Sequence, residues 1–326
     1  MTQEMSGEHV TVKDILEAKD RISSHIRETP LIQSEFLSDY CGGEVLLKLE
    51  NQQKTGSFKI RGALNKLLQL TEAELERGVI TASTGNHAQG VGFAAQLVGT
   101  KASVVVPKSI SSKKLQSIQQ YNMEVIKTIR AEDIEYDAIQ LAQVKELVYV
   151  SPYNEPAIIA GQGTIGLELL DQTSDFDTVI IPVGGGGLIS GISLALKSRN
   201  PAISVHGVQS KAATAMYSSL KKGEVVAVQE DESLAEALLG GLIKEAMTLE
   251  LMQDLVDWMQ LVSEKSIRDA IRVLWTMDSQ VVEGAGAVPV AYILENADLF
   301  KDMTTVAIIS GGNISDELLK DIIKTN

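Results

Sequence analysis

The stretch Asp177-Thr-Val-Ile-Ile-Pro-Val-Gly-Gly-Gly-Gly-Leu-Ile-Ser190 runs from a β-branched segment through four consecutive glycines into an apolar helical pattern. A strand that ends in a side-chain-free loop and then opens a helix is suited to an anion. Glycines let the backbone approach closely, their N–H groups turn inward, and the helix N-terminus adds positive partial charge. The stretch therefore predicts an α/β unit whose turn, Gly184, Gly185, Gly186 and Gly187, holds a phosphorylated ligand. Close packing of strand on helix is the other role open to such a turn.

The same alternation extends outward in both directions. Short apolar runs predict strands at Val45–Leu49, Gly78–Ala82, Ala102–Val106, Glu124–Ile126, Val148–Val150, Thr178–Val183, Ser204–Val208 and Thr305–Ile309. Helical patterns lie between them, at Ala63–Leu70, His87–Leu97, Ser112–Tyr121, Glu135–Glu146, Ile158–Leu170, Leu188–Arg199, Ser263–Trp275 and Asp316–Ile323. Strand–helix alternation implies parallel sheets covered by helices, and near-continuous apolar strands such as Val104-Val-Val106 imply burial on both faces. The prolines of Ser151-Pro-Tyr-Asn-Glu-Pro156 suggest a chain crossing. The expected class is α/β in two lobes: residues 55–150 form a smaller lobe, inserted into a larger one built from 1–54 and 151–326. A ligand is then expected in the cleft between them.

Composition narrows the function classes. The 326 residues are 44% apolar and only 4% aromatic, with a formal net charge of −14, so no basic or base-stacking surface for nucleic acid is expected. Cys41, the single cysteine, excludes an internal disulfide and accords with a reducing compartment. Met1 to His9 do not read as a signal peptide, and no window is long and apolar enough for a membrane span. A cytoplasmic protein with a small-molecule ligand is expected.

Three segments offer chemistry. Lys59 follows Phe58 between Gly56 and Gly62 at a helix start, a place suited to a Schiff-base or proton-abstracting amine as well as to an ordinary surface lysine. In Thr81-Ala-Ser-Thr-Gly-Asn-His87, Ser83, Thr84, Gly85 and Asn86 present donors and exposed backbone N–H groups suited to a carboxylate. His87 reads as a helix-start residue bonding locally, because the four histidines show no ligand spacing. Ser310 ends a third strand before Gly311-Gly-Asn313.

Thr29-Pro-Leu31, Lys48-Leu-Glu50, Thr55–Ala63, Ala82–Gly90, Asn154–Gly166, Gly184–Leu188, Val282–Ala287 and Ser310–Asn313 together follow the order of one family. From about Thr11 to its C-terminus the chain resembles the fold-type II pyridoxal phosphate enzymes (tryptophan synthase β-like), in the threonine/serine dehydratase and serine racemase group. The resemblance implies pyridoxal 5'-phosphate carried covalently on Lys59, with its phosphate on Gly184 to Gly187. It further implies Phe58 against the ring, Asn86 at the phenolic oxygen and Ser310 at the pyridine nitrogen. Ser83, Thr84, Gly85, Asn86 and His87 then bind the substrate carboxylate, Asn154 lies near the cofactor, and a homo-oligomer, a dimer, is expected. The implied reaction is α,β-elimination of L-threonine or L-serine to a 2-oxo acid and ammonia. Racemisation, and dehydration of another β-hydroxy amino acid as in hydroxyectoine breakdown, are the alternatives.

Departures from the family pattern carry further expectations. Thr84 keeps the hydroxyl that acts as acid and base in the racemases, but adds a stiffening methyl. Gln209 and Ala215 stand where cation-binding relatives have carboxylates, so no metal is expected there. Glu236 and Ala237 replace an Asp-Gly pair in a segment over the cofactor, which places Glu236 among the substrate contacts. No C-terminal regulatory domain is expected, since little follows the last helical pattern.

Overall fold

In a computed structural model, residues 10–128, 134–173 and 175–324 are described. Among them, ten strands form two sheets. The larger takes the order β1-β2-β10-β7-β8-β9, from β1 (Leu31–Gln33), β2 (Glu44–Lys48), β7 (Thr178–Pro182), β8 (Ser204–Ser210), β9 (Trp258–Val262) and β10 (Thr304–Ile308). The smaller takes the order β5-β4-β3-β6, from β3 (Val79–Ala82), β4 (Ala102–Pro107), β5 (Glu124–Thr128) and β6 (Val148–Tyr149). Every pairing of these strands is parallel except β1 on β2.

Period-two alternation along the strands explains the layering. Val179, Ile181, Val306 and Ile308 pack with Ile165, Leu169, Ile189 and Ile192 of the helices Pro156–Gln172 and Gly187–Arg199. Their neighbours Ile180 and Ala307 point the other way, toward Ile267, Ile271, Val288 and Ala291 of the helices Glu264–Thr276 and Gly284–Glu295. In the smaller sheet, Val79 and Val104 meet Ile60, Leu64 and Val91, while Ile80 and Val105 meet Ala138 and Ala142 of the helix Ile134–Val144.

Two strands, β1 and β9, fall outside the expected set. Both are edge strands, so one side of each is left unpaired and neither needs the continuous apolar run that marks a central strand. The helix expected from Ala63 begins at Lys59, because Gly62 is a packing residue here rather than a helix breaker. A Cβ on Gly161 would lie 2.6 Å from the Cα of Gly62, so the helices Lys59–Leu67 and Pro156–Gln172 cross with backbones almost touching.

Candidate active site

Four turns converge on one cavity, and each leaves the C-terminal end of a parallel strand, the end where α/β sheets bind ligands. The turn after β7 contributes Gly184, Gly185, Gly186 and Gly187; Asn86 follows β3, Tyr153 follows β6 and Ser310 follows β10. Phe58, Lys59 and Glu283 add side chains to the wall, alongside Pro182, Leu188, Ala237, Leu238 and Ala285.

The glycine turn has no space for side chains. A Cβ on Gly185 would sit 2.3 Å from Cγ of Tyr153, one on Gly187 would sit 2.7 Å from the carbonyl oxygen of Tyr153, and Gly186 has φ +88°, in the left-handed region. Thr248 pins the loop by donating from Oγ1 to the Gly185 carbonyl at 2.7 Å. The helix Gly187–Arg199 starts directly from this loop, and no side chain caps it. Bare backbone N–H groups at an uncapped helix N-terminus fit a phosphate group.

Lys59 is the first residue of its helix. Its Nζ donates to the carbonyl of Pro152 at 2.6 Å and lies 5.1 Å from the centroid of the Phe58 ring. Burial lowers its pKa from the usual 10.5 to about 8, against the opposing charges of Glu135 and Glu283. Such an amine is partly neutral near physiological pH and so available as nucleophile or base. Burial, and then the neighbouring charge of Lys59, hold His87 down at about 3. The imidazole is therefore neutral, and its Nε2 donates to the Val150 carbonyl at 3.2 Å.

Asn86 is held from two sides. Its Nδ2 donates to Oε1 of Glu283 at 2.5 Å, and its Oδ1 accepts from Nδ2 of Asn313 at 2.7 Å. Burial pushes the Glu283 carboxyl up to about 7, with the Asn86 bond working against the rise. Ser310 is buried beside this group, and its carbonyl accepts from the N–H of Phe58 at 3.1 Å.

The structure thus brings Phe58, Lys59, Asn86, Ser310 and the four glycines to one wall. Ser83, Thr84, Gly85, His87, Asn154 and Glu236 are not part of that wall. Ser83 accepts at Oγ from the N–H of Gly85 at 3.1 Å, in the turn that carries Thr84. Asn154 donates to the Glu245 carbonyl at 3.1 Å. Glu236 is exposed and pairs with Lys114 at 2.5 Å, while its neighbours Ala237 and Leu238 line the cavity instead. At the position expected to lack a metal, Oε1 of Gln209 accepts from the N–H of Tyr217 at 2.8 Å. Glu283, Tyr153 and Asn313 were not singled out from the sequence. Nothing in their own spacing marks them, although Glu283 and Asn313 fall inside segments that carry the resemblance.

The family model for pyridoxal-phosphate dependent enzymes matches residues 22–311. An L-threonine ammonia-lyase of Thermotoga maritima is 44% identical over 317 residues, covering 96% of this chain and 78% of that protein. A catabolic L-threonine dehydratase of Escherichia coli K12 is 41% identical over 312 residues, covering 94% and 93%. Among solved structures, maize serine racemase superposes with a TM-score of 0.90 at 32% identity, over 96% of each chain. The processed form of threonine deaminase isoform 2 from Solanum lycopersicum superposes with a TM-score of 0.88 at 33% identity, over 95% of this chain and 91% of that one.

Proposed function

The chain belongs to the pyridoxal-phosphate dependent enzymes, and on that premise we propose that it deaminates L-threonine, with L-serine as a second substrate. The observation that carries the reading is the amine of Lys59, half-buried and clamped by Pro152, on the same wall as the bare glycine turn. Overall, L-threonine loses water to give an enamine, whose hydrolysis releases ammonia and leaves 2-oxobutanoate.

The cofactor, when bound, supplies an electron-withdrawing system that acidifies the α-proton of the attached amino acid. The protein's part is positioning and proton traffic. Gly184 to Gly187 and the helix behind them would hold the phosphate, and Phe58 would flank the ring. The Nζ of Lys59 would hold the cofactor and, when free and neutral, would be the base for the proton on Cα. Ser310 offers a neutral hydroxyl at the end of β10, which does not hold a positive charge on a ring nitrogen as a carboxylate does. The backbone N–H groups that open the helix Asn86–Val98, together with Ser83 and Thr84, are assigned to the substrate carboxylate.

The division into residues 55–150 and the two flanking segments is proposed on the same footing, supported by each sheet drawing its strands from one part alone. The lone, buried Cys41 supports a cytoplasmic setting.

Purified protein supplied with L-threonine is expected to release 2-oxobutanoate and ammonia in equal amounts. Lys59→Ala should lower that rate by about a thousandfold or more and abolish the visible absorbance of covalently held cofactor. Near-normal turnover in Lys59→Ala would overturn the reading. D-serine formed from L-serine in the same assay measures any racemase activity.

A further inference from the structure

Glu283 lines the cavity, yet the proposed reaction gives it no task. It is the N-cap residue of the helix Gly284–Glu295, where an acid ordinarily accepts from the free N–H groups of its own helix. Its side chain makes no such bond. The carboxyl reaches instead to Nδ2 of Asn86, the first residue of the helix Asn86–Val98. Gly311 leaves the room for it, since a Cβ there would lie 2.3 Å from Oε1 of Glu283. The other end of the Asn86 amide is fixed by Asn313, whose Nδ2 donates to the Thr55 carbonyl at 3.0 Å and to Oδ1 of Asn86 at 2.7 Å. A backbone carbonyl only accepts, so the donor end of Asn313 is determined, and with it the acceptor end of Asn86. Nδ2 of Asn86 therefore faces Glu283, with one N–H bonded there and a second free for the cavity that both residues line.

Resting on the reading above, we propose that Glu283 acts through Asn86 as a positioning residue, aiming the free N–H at the anionic oxygen of the cofactor ring, and that it does so as the neutral acid. Aiming requires only an acceptor, and the acid and the carboxylate both supply one. Charge separates the two forms. A carboxylate one amide away from an oxyanion repels it, strongly so in a cavity of low dielectric constant, whereas a carboxylic acid does not. Surroundings that keep a carboxyl protonated are what let such a group serve beside an oxyanion. Here burial and the charge of Glu236 favour the neutral form, while the Asn86 bond and the charges of Lys114 and Lys59 oppose it. An anionic ring oxygen in the cavity joins the first set, so ligand binding and retention of the proton support each other. An acid that served only its own helix would turn to the N–H groups of that helix, and this one turns to Asn86.

The test titrates the full-length, cofactor-free chain by calorimetry with 4-deoxypyridoxine 5'-phosphate, which has no aldehyde for Lys59, and with the same compound lacking the ring hydroxyl. Comparing variants at one pH cancels the ionisation of the probe itself. Glu283→Gln keeps an acceptor for Asn86 and never ionises. It is expected to bind the hydroxylated probe as the unmodified chain does at about pH 6, and about fivefold or more tightly than it at about pH 8.5. Glu283→Leu offers no acceptor and should bind that probe about tenfold more weakly than Glu283→Gln at both pH values. For the probe without the hydroxyl, all three chains should agree within about twofold, because the oxyanion is gone. A Glu283→Gln chain that gains nothing at the higher pH overturns the inference, since the acid is then not working in its neutral form. Equal changes on both probes overturn it too, since they mark a structural acid with no bearing on the ring oxygen. Either result leaves the proposed reaction standing while the unmodified holoenzyme still releases 2-oxobutanoate from L-threonine. If the unmodified chain binds neither probe, the cofactor site itself fails and takes the inference with it.

Discussion

Glu283 and Lys59 are titratable groups that burial drives toward neutrality from opposite sides, and they make opposite demands on the cofactor-free protein. The Glu283 carboxyl, raised to about 7, keeps a proton that the unfolded chain has already released between its ordinary 4.5 and 7. Its penalty is therefore fully present above about 7 and is relieved as pH falls toward 4.5. Lys59, lowered to about 8, penalises the fold below that pH and ceases to do so as pH rises toward 10.5. Glu283→Gln should consequently raise the Tm of the cofactor-free protein at about pH 8, with the gain shrinking toward about pH 5. Calorimetry at the two pH values checks this, and an equal gain at both shows that Glu283 does not ionise across that window. Lys59 was legible from the sequence because Phe58 and two glycines surround it within one short motif. Glu283 was not, because the contact that defines it is with Asn86, 197 residues away in the chain.

The helix that carries Lys59 is anchored by charges hidden from water. Arg61 makes paired bonds to Glu50 at 2.8 and 2.8 Å and to Glu168 at 2.6 and 2.9 Å. Lys48 approaches Glu168 from the other side at 2.6 Å, and Thr29 donates to Glu50 at 2.5 Å. Both cations are completely buried. Such a network fixes orientation more than it stabilises, but breaking it strands carboxylates in the interior. Arg61→Met is expected to cost about 3–5 kcal/mol in urea unfolding of the cofactor-free protein. Arg61→Lys should recover only part of this, because an ammonium does not reproduce the two-armed geometry of guanidinium. A loss below about 1 kcal/mol for Arg61→Met would mean the network is dispensable. Elements of this interior differ in how plainly the chain announces them. Central strands show as apolar runs, yet Gly284–Glu295 is buried from Gly284 to Ile293 and contains Pro289. It thus lacks both the one-sided pattern and the uninterrupted helix formers by which a surface helix is recognised.

Across the molecule, one exposed contact joins the parts that carry the two sheets. Lys114, in the helix Ser112–Gln119 that follows β4, meets Glu236, which adjoins the cavity residues Ala237 and Leu238. Exposed pairs contribute up to about 1 kcal/mol, so the expected effect of Lys114→Ala is a two- to fivefold rise in KM for L-threonine, roughly that energy. The reversed pair Lys114→Glu with Glu236→Lys should restore KM in steady-state kinetics at low salt. An unchanged KM in Lys114→Ala would show that the contact does not bear on substrate entry. Every strand but β1 and β9, and the glycine turn, could be read from local pattern, whereas this meeting of residues 122 positions apart could not. The turn after β6 joins the same two regions on a finer scale. Pro152 and Tyr153 are consecutive, yet the carbonyl of one holds the lysine and the ring of the other lies against Gly185. The N–H groups of Tyr153 and Asn154 both fold back onto Oγ of Ser151, which stiffens the turn. It therefore works like a caliper whose jaws share one beam, a single peptide unit setting the span between amine and glycine loop. Surface loops elsewhere tolerate insertions at little entropic cost. One residue added here would move one jaw against the other by up to about 3.5 Å, so that at this turn the reaction constrains the length of the chain as well as its composition.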